Sequence, residues 1–274
     1  MKITITLLIM LVFFTGCAKD RTPIVIKEGM IEFSGSYKVI RGTGIASGAI
    51  WMDYFDNLKN VYGFGSIAHV RGEVTIFNSK LYVSKVYDKT VNMYDKTRYK
   101  VNDPSFGLQE AYQFVWLQQE EWQDIPIPNT VKTYKDLQLF VKEQAEKAGL
   151  DVGKPFAFLM YGMPTEFKWH ICSNVYDVKE FPRNTFIISK VQYYTIKEMI
   201  DIIGVYAPVD SELYYEQFDL RTFSQVKEDV IMRLHFVSRD SDAAGRLYDL
   251  ILGPDMVLRL PVRPPVVNPS VKPK

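Results

Sequence analysis

The sequence predicts an α+β fold: mostly antiparallel, barrel-like β-sheet with about three helices. Three observations point to it. Short runs with period-2 alternation recur along the chain, bounded by glycine, proline and polar turns. Tyrosine and phenylalanine number 17 each, a usage that suits pleated, half-buried strands. Helix signals are few, and two of them begin with a threonine cap. Apolar residues make up 47% and charged residues 24%, an ordinary globular mix. The net charge of +1 carries no nucleic-acid footprint.

The chain opens with Lys2 and an apolar run over 3–14 interrupted only by Thr4 and Thr6. Twelve residues are too few to cross a bilayer, which takes roughly 20, but they have the form of a cleaved export signal. The run ends in Phe14-Thr15-Gly16-Cys17, which resembles the lipobox of bacterial lipoproteins, with Phe14 bulkier than that position usually carries. The expectation is removal of residues 1–16 and lipidation of Cys17. Two or more acyl chains would then hold the protein on the cell envelope, at the outer membrane or cell surface. An ordinary secretory signal with a chance cysteine is the alternative. Ala18 follows the cysteine, so no aspartate argues for inner-membrane retention. Residues 17–27 then read as the lipidated cysteine and a linker, 28–260 as one domain, and 261–274 as a tail. Five prolines in those last 14 residues favour extended polyproline II. Once Cys17 is lipidated, Cys172 has no disulfide partner in the chain and reads as a small apolar core residue.

Within the domain, part of 32–40 alternates as a strand. Residues 47–60 place Ile50, Trp51, Tyr54, Phe55 and Leu58 at helical spacing, and Gly63 and Gly65 stop that predicted helix. Two strands, 67–77 and 80–86, meet in a hairpin at Asn78-Ser79. On the first of them His69, Arg71 and Glu73 would share one face. A further strand covers 113–117. Thr133 and Asp136 form a capping box for a helix with Leu137, Phe140, Val141 and Ala145 on its apolar stripe and Gly149 past its end. Strands follow at 156–160 and 167–172. Thr195 to Glu198 repeats the cap pattern before a short helix ending near Gly204. The last strands are 230–237 and 247–252. In 230–237, Met232, Leu234 and Phe236 face the core while Arg233 and His235 share the other face, and the following strand can return Arg246 beside them. The glycines at 63 and 65 do not make a phosphate-binding loop, because no Lys-Ser/Thr follows them.

Four stretches carry a family resemblance: DYFDNLKN (53–60), YGFGSIAHVRGEVTIFNSKLY (62–82), KPFAFLMYGMPTEFKWH (154–170) and MRLHFVSRDSDAAGRLYDL (232–250). In order and spacing they resemble blocks of the α-acetolactate decarboxylase family, and together they cover most of 47–252. The resemblance implies that family's fold. It also implies a zinc ion on three histidines that chelates acetolactate and stabilises the enediolate left after loss of CO2, with an arginine and glutamates delivering the proton that yields acetoin. The three ligand positions fall on Arg233, His235 and Arg246 here, with the 11-residue spacing between the last two retained. The catalytic arginine position falls on His170, and the glutamate is kept as Glu73. The family's C-terminal glutamate has no counterpart.

Arginine stays protonated and offers only donors. A guanidinium about 4 Å from a dication is repelled by roughly 8 kcal/mol at an effective dielectric near 20, and two of them oppose the 10–16 kcal/mol typical of a full ligand set. The expectation is therefore no zinc, or other cofactor, at the family position. Two guanidinium forks instead suit a small organic carboxylate, with Arg233, His235, Arg246 and His69 as binding residues and Glu73 and His170 at the family's catalytic positions. Simple loss of function, with the arginines paired to Asp240, Asp242 or Glu73, is the plainer reading. A relocated metal or acid–base site from His69, His170, His235 and Glu73 is another. Three function classes stay open: a non-catalytic or anion-binding lipoprotein, an acetolactate decarboxylase-type lyase with an altered site, and an envelope structural or complex-forming protein.

Overall fold

A computed structural model of the chain describes residues 29–36, 39, 42–87, 99–173, 189–209, 211, 213 and 230–262. The predicted export signal, Cys17 and the whole predicted linker lie outside them, as does nearly all of the proline-rich tail. Two antiparallel sheets pack face to face. The first holds β1 (Glu32–Ser34), β2 (Ile50–Trp51), β3 (Val61–Ile67), β4 (Glu73–Phe77), β5 (Lys80–Val86), β6 (Tyr99–Val101) and β7 (Glu110–Gln118), in the order β1-β7-β3-β4-β5-β6 with β2 also on β7. The second holds β8 (Trp122–Pro126), β9 (Phe156–Gly162), β10 (Glu166–Ser173), β11 (Ser189–Ile196), β12 (Ile200–Pro208), β13 (Val230–Ser238), β14 (Ala244–Ile251) and β15 (Val257–Pro261), in the order β11-β10-β14-β13-β12-β9-β15-β8.

One α-helix is present among the described residues, α1 (Tyr134–Lys147), not about three. Its capping box forms as the sequence predicts: Thr133 Oγ1 accepts from the Asp136 amide, and the Asp136 carboxylate accepts from the Thr133 amide. Leu137, Phe140, Val141 and Ala145 dock on the outer face of the second sheet, against Phe158, Trp169, Leu234 and Phe236. The predicted helix over 47–60 is only β2 and a 3-10 turn, Met52–Phe55, which buries Met52 and Phe55. The predicted helix after Thr195 is instead the link between β11 and β12. Lys197 turns there with φ +49, and Tyr193 and Thr195 alternate inward along β11.

Gly63 and Gly65 do not end a helix. They lie in the middle of β3, where β7 comes so close that a Cβ on Gly65 would sit 1.9 Å from the Gln113 carbonyl oxygen. The hairpin at Asn78-Ser79 forms, with both residues at positive φ as a tight two-residue turn requires.

Side-chain alternation gives each sheet two buried faces. The first sheet's outer face packs Met52, Phe55, Val74, Ile76, Phe114 and Trp116. Between the sheets, Tyr62, Phe64, Val115 and Leu117 meet Leu159, Ile203 and Val205. A second apolar cluster there joins Tyr82 to Val237 and Ala244, and polar side chains fill the space between the two clusters.

Gly65→Ala is expected to lower the unfolding free energy by about 3 kcal/mol or more, against about 1 kcal/mol for Thr133→Ala at the helix cap. Urea unfolding of the two variants side by side checks the order.

Candidate functional site

Cross-strand pairing assembles the polar part of the middle layer. Ser66 pairs with both Gln113 and Glu73, and Glu73 pairs with Ser84, so one row crosses β7, β3, β4 and β5. Facing it from the second sheet is the row His170, Arg246, His235 on β10, β14 and β13. Arg233 lies two residues from His235 on the same face. A bulge sets this row. Lys168 pairs with Asp249 but Trp169 pairs with Leu247, so Tyr248 is the extra residue. Without it Arg246 would fall opposite Ile171, on the core side, because a one-residue slip exchanges the faces of a strand.

Glu73 is 1% exposed. Ser66 Oγ donates to its Oε2 at 2.9 Å, and the Cys172 amide donates to Oε1 at 3.3 Å. Burial pushes the carboxyl above its usual range. The Cys172 thiol, the charge of Arg246 and the Ser66 hydroxyl pull it back. His235 is fully enclosed: its ring stacks on Phe64 with centroids 4.5 Å apart, and Nδ1 hydrogen-bonds Thr75 Oγ1 at 3.2 Å. Burial drives its pKa down to about 3, so the imidazole is neutral at physiological pH. Arg233, His235 and Arg246 line one cavity of about 30 Å³ with Phe64, Gly65, Ser66, Gln113 and Val115. That is room for about two water-sized spheres, comparable to a carboxylate head group.

This architecture matches known structures. A Staphylococcus aureus protein of unknown function, described as similar to α-acetolactate decarboxylase, superposes with a TM-score of 0.58 over 84% of either chain at 13% identity. α-Acetolactate decarboxylase from Bacillus subtilis strain 168 gives 0.54 over 84% of this chain and 83% of its own, at 11% identity. The enzyme from Bacillus subtilis subspecies spizizenii also gives 0.54, over 84% and 85%, at 11%. The fold is acetolactate decarboxylase-like. No family model matches the chain, and no curated protein matches it by sequence.

On this acetolactate decarboxylase-like fold, the three residues that the sequence resemblance places at the family's zinc-ligand positions do not suit zinc. Two are guanidinium groups. The third, His235, has Nδ1 engaged by Thr75 and its ring pressed against Phe64. A divalent ion there would face two fixed positive charges with no anionic ligand among the three.

The other predicted residues divide. Glu73 and His170 are brought together between the sheets. His69 is not with them. It sits in a 3-10 turn, Ala68–Val70, with φ +60, so the chain leaves the strand before Glu73 and His69, Arg71 and Glu73 do not share a strand face. His69 does not line the cavity.

Cys172 is buried as expected, but it is on the polar side of β10. Phe167, Trp169 and Ile171 enter the apolar core, and His170 and Cys172 face the other way. The spacing of two between His170 and Cys172 was the available signal. Ser66, Thr75 and Gln113 carried none, because nothing local marks an inward-facing polar residue on a strand.

The enclosed neutral imidazole has a measurable consequence. Its pKa is about 3 folded against 6.5 as the ordinary value. Between these the unfolded chain takes up a proton that the native state refuses, so stability falls as pH falls. Relative to His235→Asn, the native protein is expected to lose about 1.4 kcal/mol per pH unit below about 6.5. Parallel pH-stability curves for the two proteins would contradict this.

Proposed function

We propose that the chain is an exported, lipid-anchored protein, a diverged relative of the acetolactate decarboxylases, whose domain binds a small organic carboxylate beside Arg233 and Arg246. On this reading no metal occupies that position and no acetolactate is turned over. The observation that carries it is the cavity shared by two guanidinium groups and a neutral imidazole. Guanidinium forks match carboxylate geometry through paired N–H donors, and enclosure between low-dielectric walls strengthens each such bond. His235 adds a neutral wall and, through its ring, stacking surface on Phe64. Gln113, also at the cavity, offers amide donors and an acceptor to orient the ligand.

The export half of the proposal draws its support from the apolar run 3–14 and the lipobox-like Phe14-Thr15-Gly16-Cys17. Replacing Cys17 with serine is expected to abolish metabolic labelling of the protein by radioactive palmitate and to release it from the membrane fraction. Labelling that survives the substitution would overturn the lipid anchor.

The anion half is tested by calorimetric titration of the chelator-treated, detergent-purified full chain with acetate, pyruvate and 2-hydroxyisobutyrate. At least one is expected to bind saturably, with affinity at least tenfold lower in Arg246→Gln. Incubation with zinc and acetolactate is expected to release no acetoin. Acetoin production lost in His235→Asn, or no binding of any of the three acids, would contradict the reading.

A further inference from the structure

One group of side chains in the middle layer is not used by the anion reading: Glu73, His170 and Cys172. Each offers one donor atom, a carboxylate oxygen, an imidazole nitrogen and a thiol sulfur, and all three atoms lie within 4.8 Å of one another. All three residues are buried, at 1–2% exposure. They come from both sheets. His170 and Cys172 are alternate residues of β10, and Glu73 reaches across from β4. We infer that Glu73, His170 and Cys172 form a transition-metal site, best suited to zinc, displaced from the position that Arg233, His235 and Arg246 occupy.

The donor chemistry selects the ion. Thiolate and imidazole disfavour calcium and magnesium, which take oxygen ligands, and suit zinc or cobalt, which accept carboxylate as well. A tetrahedral zinc ion with bonds of about 2.0–2.3 Å needs donor–donor edges of roughly 3.4–3.6 Å. The present separations, at most 4.8 Å, exceed those edges by up to about 1.4 Å, a contraction that rotation of the three side chains has to supply. Three protein ligands leave one coordination position open.

Charge separates this triad from the neighbouring arginines. A thiolate and a carboxylate cancel the 2+ charge of the ion, so Arg246, one strand away, meets a neutral complex. At the Arg233/His235/Arg246 position the same ion would face two guanidiniums with no anionic ligand among the three residues.

The carboxylate is also oriented for the role. The Cys172 amide and the Ser66 hydroxyl each donate to one oxygen of Glu73, and the Cys172 thiol contacts the same carboxyl. A carboxylate oxygen has capacity beyond one such bond, and fixing a ligand from outside in this way is a common feature of protein metal sites. Ser66 and Arg246 line the cavity as well. The metal site and the anion cavity are therefore neighbours, although neither inference requires the other.

The test uses the full chain, purified in detergent and stripped with a chelator, with cobalt(II) and then zinc(II) added in the absence of any carboxylate. The expected result is one cobalt per chain with an intense near-ultraviolet thiolate-to-cobalt band that zinc displaces. Cys172→Ser is expected to abolish the band. Glu73→Gln and His170→Gln are expected to weaken zinc binding at least tenfold, and His235→Asn to leave it unchanged. Should Cys172→Ser fail to fold, Cys17→Ser supplies a chain in which Cys172 is the remaining thiol, and its cobalt band must persist. Absence of the band in folded wild-type protein would overturn the site. So would a band that survives Cys172→Ser, or zinc binding that depends on His235 instead. Carboxylate titration of the metal-free protein succeeds or fails separately from all of these outcomes.

Discussion

Burying a carboxylate between two β-sheets costs several kcal/mol unless the surrounding strands supply donors or positive charge, and Glu73 sits under that constraint. Its own sheet provides the Ser66 hydroxyl. The opposite sheet provides the Cys172 amide and the charge of Arg246. These interactions fix how the two sheets face one another. The polar row on β7, β3, β4 and β5 lies against His170, Arg246, His235 and Arg233. The apolar row Tyr62, Phe64, Val115 and Leu117 is then left to pack on Leu159, Ile203 and Val205. The middle layer thus has a dry half and a chemically equipped half that Tyr82, Val237 and Ala244 border on its far side.

Two backbone irregularities make the equipped half possible. The bulge at Tyr248 turns Arg246 onto the same face as His170. The 3-10 turn at Ala68–Val70 carries the chain from β3 to β4 so that Ser66 and Glu73 come side by side. Each decides which side chains meet. The same fold appears in the acetolactate decarboxylases and a protein similar to them at 11–13% identity, so the scaffold persists through wide change in sequence.

Much of this was legible in the sequence where the signal is local. The alternation of Met232, Leu234 and Phe236 with Arg233 and His235 identified the two faces of β13, and the Thr133/Asp136 box located α1. The Asn78-Ser79 turn fixed a hairpin. The failures come from long-range causes. Gly63 and Gly65 read as a helix stop because their purpose, letting β7 approach β3, involves residues about fifty positions away. Thr195 to Glu198 imitates a helix cap, yet pairing with β10 and β13 turns both sides into strands. Cys172 read as plain core because a single strand does not announce which of its faces is apolar when both are buried. His69 was grouped with Glu73 by an alternation that the left-handed turn at 69–70 interrupts.

The dependence of the middle layer on the buried Glu73 carboxyl and the cation opposite is tested most directly by a double-mutant cycle. Unfolding free energies are measured at about pH 8 for the metal-stripped wild type, Glu73→Gln, Arg246→Gln and the double variant. The account predicts a favourable coupling of about 1 kcal/mol or more between the two side chains. Additivity within about 0.5 kcal/mol, with all four proteins folded, would contradict it.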